Sequence, residues 1–273
     1  MLSDWLIPDW PVPGNVRAVV TTRHGGVSAM PYDGMNLGDH VGDFPEHVQS
    51  NRAVLQRVTG THAVFMRQVH GVEVLRLDVA TPDGRTADAC FTTQKQLACT
   101  IMVADCLPVL LASSDGSVVA AAHAGWRGLS GDEQGECGPR KGVLESIYDA
   151  FSVKTQYPRA IAATKIIAWL GPCIGPSAFE VGAEVKAAFE AGQPGAGVFF
   201  KPANKGKFFA DLAGLARQRL QALGITQIFG NDGSAAWCTA GNPARYFSHR
   251  RDAGAHGNGF GTTGRMAACV WLD

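Results

Sequence analysis

Residues 97–123 read LACTIMVADCLPVLLASSDGSVVAAAH, and this stretch sets the fold class. Three closely spaced apolar runs, LACTIMVAD, PVLLAS and SVVAAAH, predict the sheet core, because short apolar runs bounded by turn residues fit buried strands. The tetrapeptide SDGS between the last two predicts an antiparallel hairpin. The third run ends on His123 and leads at once into AGWRG, so an apolar strand delivers a polar ring to a sharp, glycine-flanked turn.

Outward from this core, VRAVVTT (16–22), AVFMRQVH (63–70), VEVLRL (72–77), TKIIAWLG (164–171), ITQIFG (225–230) and MAACVWL (266–272) also read as strands. Helical spacing of apolar positions predicts helices from Pro45 to a stop at Gly60, over 142–151, over 181–192, and over 211–224. Helices interspersed with hairpins favour one mixed α+β domain spanning 1–273 over a doubly wound parallel sheet. The polar stretch SGDEQGECGPRKG (130–142) reads as a loop insertion.

Composition narrows the function classes. Lys plus Arg and Asp plus Glu both total 24, so bulk charge attracts neither nucleic acid nor an anionic membrane. The first residues, MLSDWLIPDWPVPG, lack the basic and apolar regions of a signal peptide, and no apolar stretch is long enough to span a bilayer. Seven cysteines without a CxxC pair fit reduced thiols, and a cytoplasmic location is expected. The 33 glycines exceed the roughly 19 that average usage gives, and the excess gathers in the 124–142, 192–197 and 254–264 segments, which reads as loops.

Several motifs fail. GFGTTG (259–264) matches G-x-G-x-x-G but follows no strand and leaves no room for a βαβ unit. Walker A, HExxH and GxSxG patterns are absent. Eight histidines without an HxH pair supply too few ligands for several coppers.

What survives is a trio expected at strand ends: His70 in RQVHG, Cys106 in VADCLP and His123 in AAHAGW. Ligands at the ends of neighbouring strands, about 4.8 Å apart, can converge on one ion. Two imidazoles and a thiolate suit Zn²⁺ and leave a fourth position for water or substrate. Cu²⁺ is also compatible with such ligands. A metal-free alternative makes Cys106 a nucleophile, His123 its base, and Asp105 or Asp88 the orienting group.

TTRHGGVS (21–28), NLG (36–38) with VGD (41–43), RQVHG, TADACFT (86–92), VADCLPVLL (103–111), AAHAGWRG (121–128), GPCIGPSAFEVG (171–182) and FSHRRD (247–252) stand in order along the chain. In this the sequence resembles the YfiH-type family, also called the laccase-domain or polyphenol oxidase family. The resemblance implies a sandwich-like mixed α/β fold and one metal held by residues matching His70, Cys106 and His123. It further implies phosphorolysis of adenosine, inosine and methylthioadenosine, with adenosine deamination as a second activity. Purine nucleosides and phosphate are then the expected partners of a monomer. Rival expectations are an amide hydrolase editing peptidoglycan precursors at the same site, and a non-catalytic metal- or nucleoside-binding module.

The catalytic candidates are Cys106, His123, His70 and Asp105, with Asp105 or Asp88 carrying protons. Arg127 is the leading candidate for phosphate, with Arg23, Arg250, Arg251 and Arg265 as weaker ones, and Asn36 and Gln68 offer amides to a purine edge or ribose hydroxyl. Gly125 and Gly128 are expected to permit a sharp turn beside the site. Two features depart from the family pattern: the 130–142 insertion, and His249 where a tyrosine usually stands.

Overall fold

A computed structural model describes residues 4–131, 141–155, 159–255 and 262–273. Its strands in chain order are β1 (Val16–Val20), β2 (His62–Phe65), β3 (Val74–Arg76), β4 (Ala89–Thr92), β5 (Leu97–Val103), β6 (Leu107–Ser113), β7 (Val119–Ala124), β8 (Ile166–Leu170), β9 (Glu180–Val181), β10 (Phe200–Pro202), β11 (Phe208–Ala210), β12 (Gln227–Gly230) and β13 (Met266–Leu272). The helices are α1 (Pro45–Thr59), α2 (Trp126–Ser130), α3 (Val143–Thr155), α4 (Arg159–Thr164), α5 (Ala183–Gly192), α6 (Leu212–Ala222) and α7 (His249–Ala255).

Two mixed sheets form the centre, one ordered β1-β13-β5-β2 and the other β12-β8-β6-β7-β4-β3. A small third sheet, β10-β11-β9, pairs with neither, but its Val181, Phe200 and Ala210 join the core beside the six-stranded sheet. The expected hairpin is present: β6 and β7 run antiparallel with Leu107 opposite Ala124 and Pro108 opposite His123.

The continuous apolar runs follow from burial on both faces. In β5, Leu97, Cys99, Ile101 and Val103 face the interior between the sheets, while Ala98 and Met102 join the core on the far side with Leu55 of α1. In β6, Leu110 and Ala112 face that same interior, whereas Val109 and Leu111 pack with α3, α5 and α6. Strict alternation with both sets apolar yields helix, sheet, sheet, helix layering.

The structure corrects one expectation here. The three core runs do not share a sheet: β5 belongs to the four-stranded sheet, β6 and β7 to the six-stranded one. The chain crosses between sheets at Ala104–Asp105–Cys106, where Asp105 has φ 97°. The 63–70 segment is likewise strand only to Phe65, so His70 lies in the connection between the two sheets. Helix α7 and the third sheet carry too few periodic positions to be read from sequence.

Helix boundaries obey local chemistry. Pro45 opens α1, and Gly60 closes it in the left-handed region at φ 67°, donating its N–H to Gln56 O. Among the described residues no helix is long and apolar enough to cross a membrane. The predicted 130–142 insertion falls largely on 132–140, outside the described residues.

Candidate metal centre and substrate cleft

His70, Cys106 and His123 meet where the chain passes between the sheets. Their ligating atoms all lie within 4.8 Å of one another. Cys106 Sγ stands 3.6 Å from His70 Nε2. A tetrahedral ion with bonds of about 2.1 Å to nitrogen and 2.3 Å to sulfur separates such donors by about 3.6 Å, so the spacing fits. His123 is buried, Cys106 half-buried and His70 exposed, leaving one side open to solvent.

Asp88 organises the two histidines. Its Oδ1 accepts from His123 Nδ1 at 2.8 Å and from the His70 N–H at 2.9 Å. Its Oδ2 accepts from the N–H groups of Val69 at 3.1 Å and Gly71 at 2.8 Å. His70 sits at φ 61°, which costs free energy in a residue other than glycine. Three consecutive N–H bonds to one fully buried carboxylate offset that cost. Because a carboxylate only accepts, His123 carries a proton on Nδ1, which leaves Nε2 as the ring nitrogen that can ligate an ion once it is deprotonated.

Electrostatics favour the thiolate. Burial opposes ionisation of Cys106, but the neighbouring positive charge of His123 and hydrogen bonds from His123 and His70 outweigh it and bring the thiol down to about 6. Burial also opposes charge on His123, yet Cys106 and Asp88 together lift it to about 9. The cluster is therefore built to hold a positive charge against a thiolate, which a divalent cation supplies as well as a proton does.

Gly125 is required by crowding. A Cβ there would stand 2.7 Å from His70 Cδ2 and 3.1 Å from Cys106 Sγ. At Gly128 a Cβ would stand 2.6 Å from Gly71 O. Gly125 has φ −68°, and neither glycine is among those with positive φ. Gly125 joins β7 directly to α2, and both glycines admit the close approach of the 70–71 loop.

The cluster forms part of the wall of a cleft of about 460 Å³. Trp126, Ile174, Phe179 and Leu212 give it an apolar side, and His40, Arg127, His249, Arg250 and Arg265 line it with basic groups. Arg127 is exposed and stacks over Trp126 at 4.4 Å. Arg250 lies over Phe179 at 5.7 Å and donates from Nη1 to Glu180 O. Both line the cleft.

Other expected residues lie elsewhere or are committed. Arg23 is outside the cleft, over Phe247 at 5.0 Å with Nη1 on Pro243 O. Asn36 is fully buried: its Nδ2 donates to Gly38 O and Asp43, and its Oδ1 accepts from Gly38 and Arg265 N–H. Gln68 borders the cleft, but its amide pairs both ways with the Met102 backbone at 2.8 Å. Asp105 accepts from Thr239 Oγ1 at 2.5 Å and from the Arg250 N–H at 2.7 Å, so both oxygens are engaged. Its carboxylate fixes the sheet crossover and the start of α7. Arg251 is spent on Thr239 O, Ala240 O, Tyr246 O and Asp252. His40 was missed by sequence reading, as no pattern ties it to the site.

These features define a class: a two-sheet α+β protein with one His–Cys–His cluster opening into a cleft. A family model described as multi-copper polyphenol oxidoreductase laccase matches residues 17–273. A purine nucleoside phosphorylase of Pseudomonas aeruginosa is 44% identical over 273 residues, covering 100% of both chains. The purine nucleoside phosphorylase YfiH of Escherichia coli is 42% identical, covering 99% of this chain and 100% of that one. A crystal structure of a Neisseria meningitidis protein, 38% identical, superposes with a TM-score of 0.83 over 99% of each chain. YlmD from Geobacillus stearothermophilus, 26% identical, gives 0.85 over 98% of this chain and 96% of that one. The chain belongs to this laccase-like, YfiH-type family. Among the described residues one three-ligand cluster is present, too few donors for several coppers.

Proposed function

We propose that the protein is a zinc-dependent purine nucleoside phosphorylase acting on adenosine, inosine and methylthioadenosine, with adenosine deamination as a second activity. The observation that carries this reading is the cleft itself. Trp126 and Phe179 offer apolar surface that suits a purine, and the arginines in the same lining suit an oxyanion, with the His–Cys–His cluster in that lining too. The names of the relatives support the same reaction class.

His70, Cys106 and His123 would hold the ion, which supplies Lewis acidity to a substrate oxygen. Zn²⁺ fits the donor set, and Cu²⁺ is the alternative. Asp88 keeps His123 in the ligating tautomer. In phosphorolysis an oxygen of phosphate bonds to C1′ as the C1′–N9 bond breaks, and the bonding pair leaves with the purine, which takes up a proton. Trp126 and Phe179 shield the base from water, and Arg127 and Arg250 stabilise the charge that develops. In deamination water adds at purine C6 and ammonia leaves from the same cleft.

The test pairs elemental analysis with turnover on one purified sample. Zinc near one equivalent, with hypoxanthine released from inosine only when phosphate is present, supports the proposal. Release without phosphate makes the protein a hydrolase, and binding without turnover makes it a non-catalytic module. Cys106→Ala is expected to lose metal and both activities together; retained phosphorolysis overturns the metal-centred account.

A further inference from the structure

We propose that Arg265 and His40 form the oxyanion end of the cleft, where inorganic phosphate is held for attack. This rests on the phosphorolysis reading above and assigns its second substrate to particular side chains.

Of the guanidinium groups around the cleft, Arg265 alone is half-buried while keeping unused donors; Arg127 and Arg250 are exposed. Arg127 is exposed and stacked on Trp126. Arg250 already donates to Glu180 O. Arg265 is half-buried, and its backbone N–H is tied to Asn36 Oδ1 at 2.9 Å. Its stem lies across Gly38, where a Cβ would stand 2.7 Å from Arg265 Cγ, so a glycine is needed for the side chain to lie there. Its side-chain bonds, to Thr263 O at 2.8 Å and Gly264 O at 3.3 Å, both use Nη1. Among the described residues Nε and Nη2 have no protein acceptor within hydrogen-bond range, and no carboxylate forms an ion pair with Arg265.

A half-buried guanidinium without a carboxylate loses hydration and gains no ion pair in return. An oxyanion restores both, because the free edge of the guanidinium matches two oxygens of a phosphate. His40 borders the same space with an exposed ring. One ring nitrogen lies 3.5 Å from Asp39, and the other has no protein partner among the described residues. Burial followed by the Arg265 charge lowers the basicity of both His40 and His249, so these groups already feel one another through the cleft. The lining carries Arg127, Arg250 and Arg265 against the one carboxylate of Asp105, which is itself committed to Thr239 and Arg250. Trp126, Phe179 and Leu212 come from α2, the 174–179 segment and α6, whereas Arg265 stands just before β13 and His40 in the loop between β1 and α1. A nucleoside bound with its base on the apolar side leaves the ribosyl carbon between base and phosphate, as displacement requires.

The experiment compares metal-loaded wild-type protein with Arg265→Gln, Arg265→Lys and His40→Gln. Phosphate and inosine are each varied, and inorganic phosphate binding is titrated separately by ³¹P line broadening. Loss of the paired charge-assisted bonds should raise the phosphate KM about tenfold or more in Arg265→Gln, with the inosine KM within about twofold of wild type. Lysine should recover part of the loss, and His40→Gln should show a smaller rise. An unchanged phosphate KM, or equal rises for both substrates at unaltered Tm and metal content, overturns the assignment. If the wild type releases no hypoxanthine with phosphate, the phosphorolysis reading fails, and the titration still decides here. Phosphate binding lost in Arg265→Gln supports the site, and equal binding in both proteins removes it. Should Arg265→Gln fail to fold, Arg265→Lys and His40→Gln carry the same comparison.

Discussion

Asp88 holds His123 twice: its carboxylate accepts from the ring Nδ1 at 2.8 Å, and its backbone carbonyl accepts the His123 N–H at 2.7 Å. The second bond belongs to the β4–β7 edge, the first to the site. A sheet contact therefore sets where the ligand stands, and a side chain sets which nitrogen it offers.

Asp88→Asn should weaken zinc binding by about 10–100-fold, the usual consequence of removing a carboxylate behind a ligating histidine. The amide would also turn its NH₂ toward the N–H groups of residues 69–71 or toward His123, so stability should fall by about 2–3 kcal/mol. Competition with a chromophoric chelator and thermal melts separate the two effects. Unchanged affinity would remove Asp88 from the site.

Gly125→Ala should act mainly on the cluster. The added methyl group would overlap His70 Cδ2 and press on Cys106 Sγ, while the backbone at φ −68° accepts alanine without strain. Metal content and turnover should drop together by about tenfold or more with little change in Tm, since the His70 side chain is exposed and can swing away. A variant with full metal occupancy and full activity would show that the contact is not limiting.

The chelator-stripped protein should titrate Cys106 near 6, against an ordinary thiol value of 9.0. The cause is the His123 charge winning over burial. The folded thiol is the stronger acid, so its contribution to stability is complete above 9.0 and is lost as pH falls through about 6. His123 has the opposite sign: its contribution is complete below 6.5 and is lost as pH rises through about 9. Thiolate absorbance of wild type minus Cys106→Ser, followed against pH, checks this; a midpoint near 9 would show that the pair does not form.

Arg23→Gln should leave the KM for nucleoside and phosphate unchanged, because Arg23 faces a different depression from the cleft beside the His–Cys–His cluster. Loss of its bond to Pro243 O and of its packing on Phe247 should cost about 1 kcal/mol. A raised phosphate KM in this variant would return Arg23 to the site.

Asn36 and Gln68 show why polar residues mislead a linear reading. Each stands in a stretch that resembles the family pattern, and each has the right chemistry to meet a nucleoside. Asn36 instead ties Gly38 and Arg265 together, and Gln68 completes the ladder beside Met102. A side-chain amide looks the same in a sequence whether its partner is a ligand or a backbone.

The amino-acid sequence determined the strands of the core, the hairpin at 114–117, the bounds of α1 and α6, and the three residues of the His–Cys–His cluster. Such features depend on local periodicity, turn chemistry and side-chain type, all of which are written along the chain. Only the tertiary structure decided that β5 and β6 lie in different sheets, that His70 reaches the cluster from a loop, and which arginines face the cleft. Those outcomes depend on which buried face meets which, a matter of packing between segments 30 to 230 residues apart. No local pattern records it.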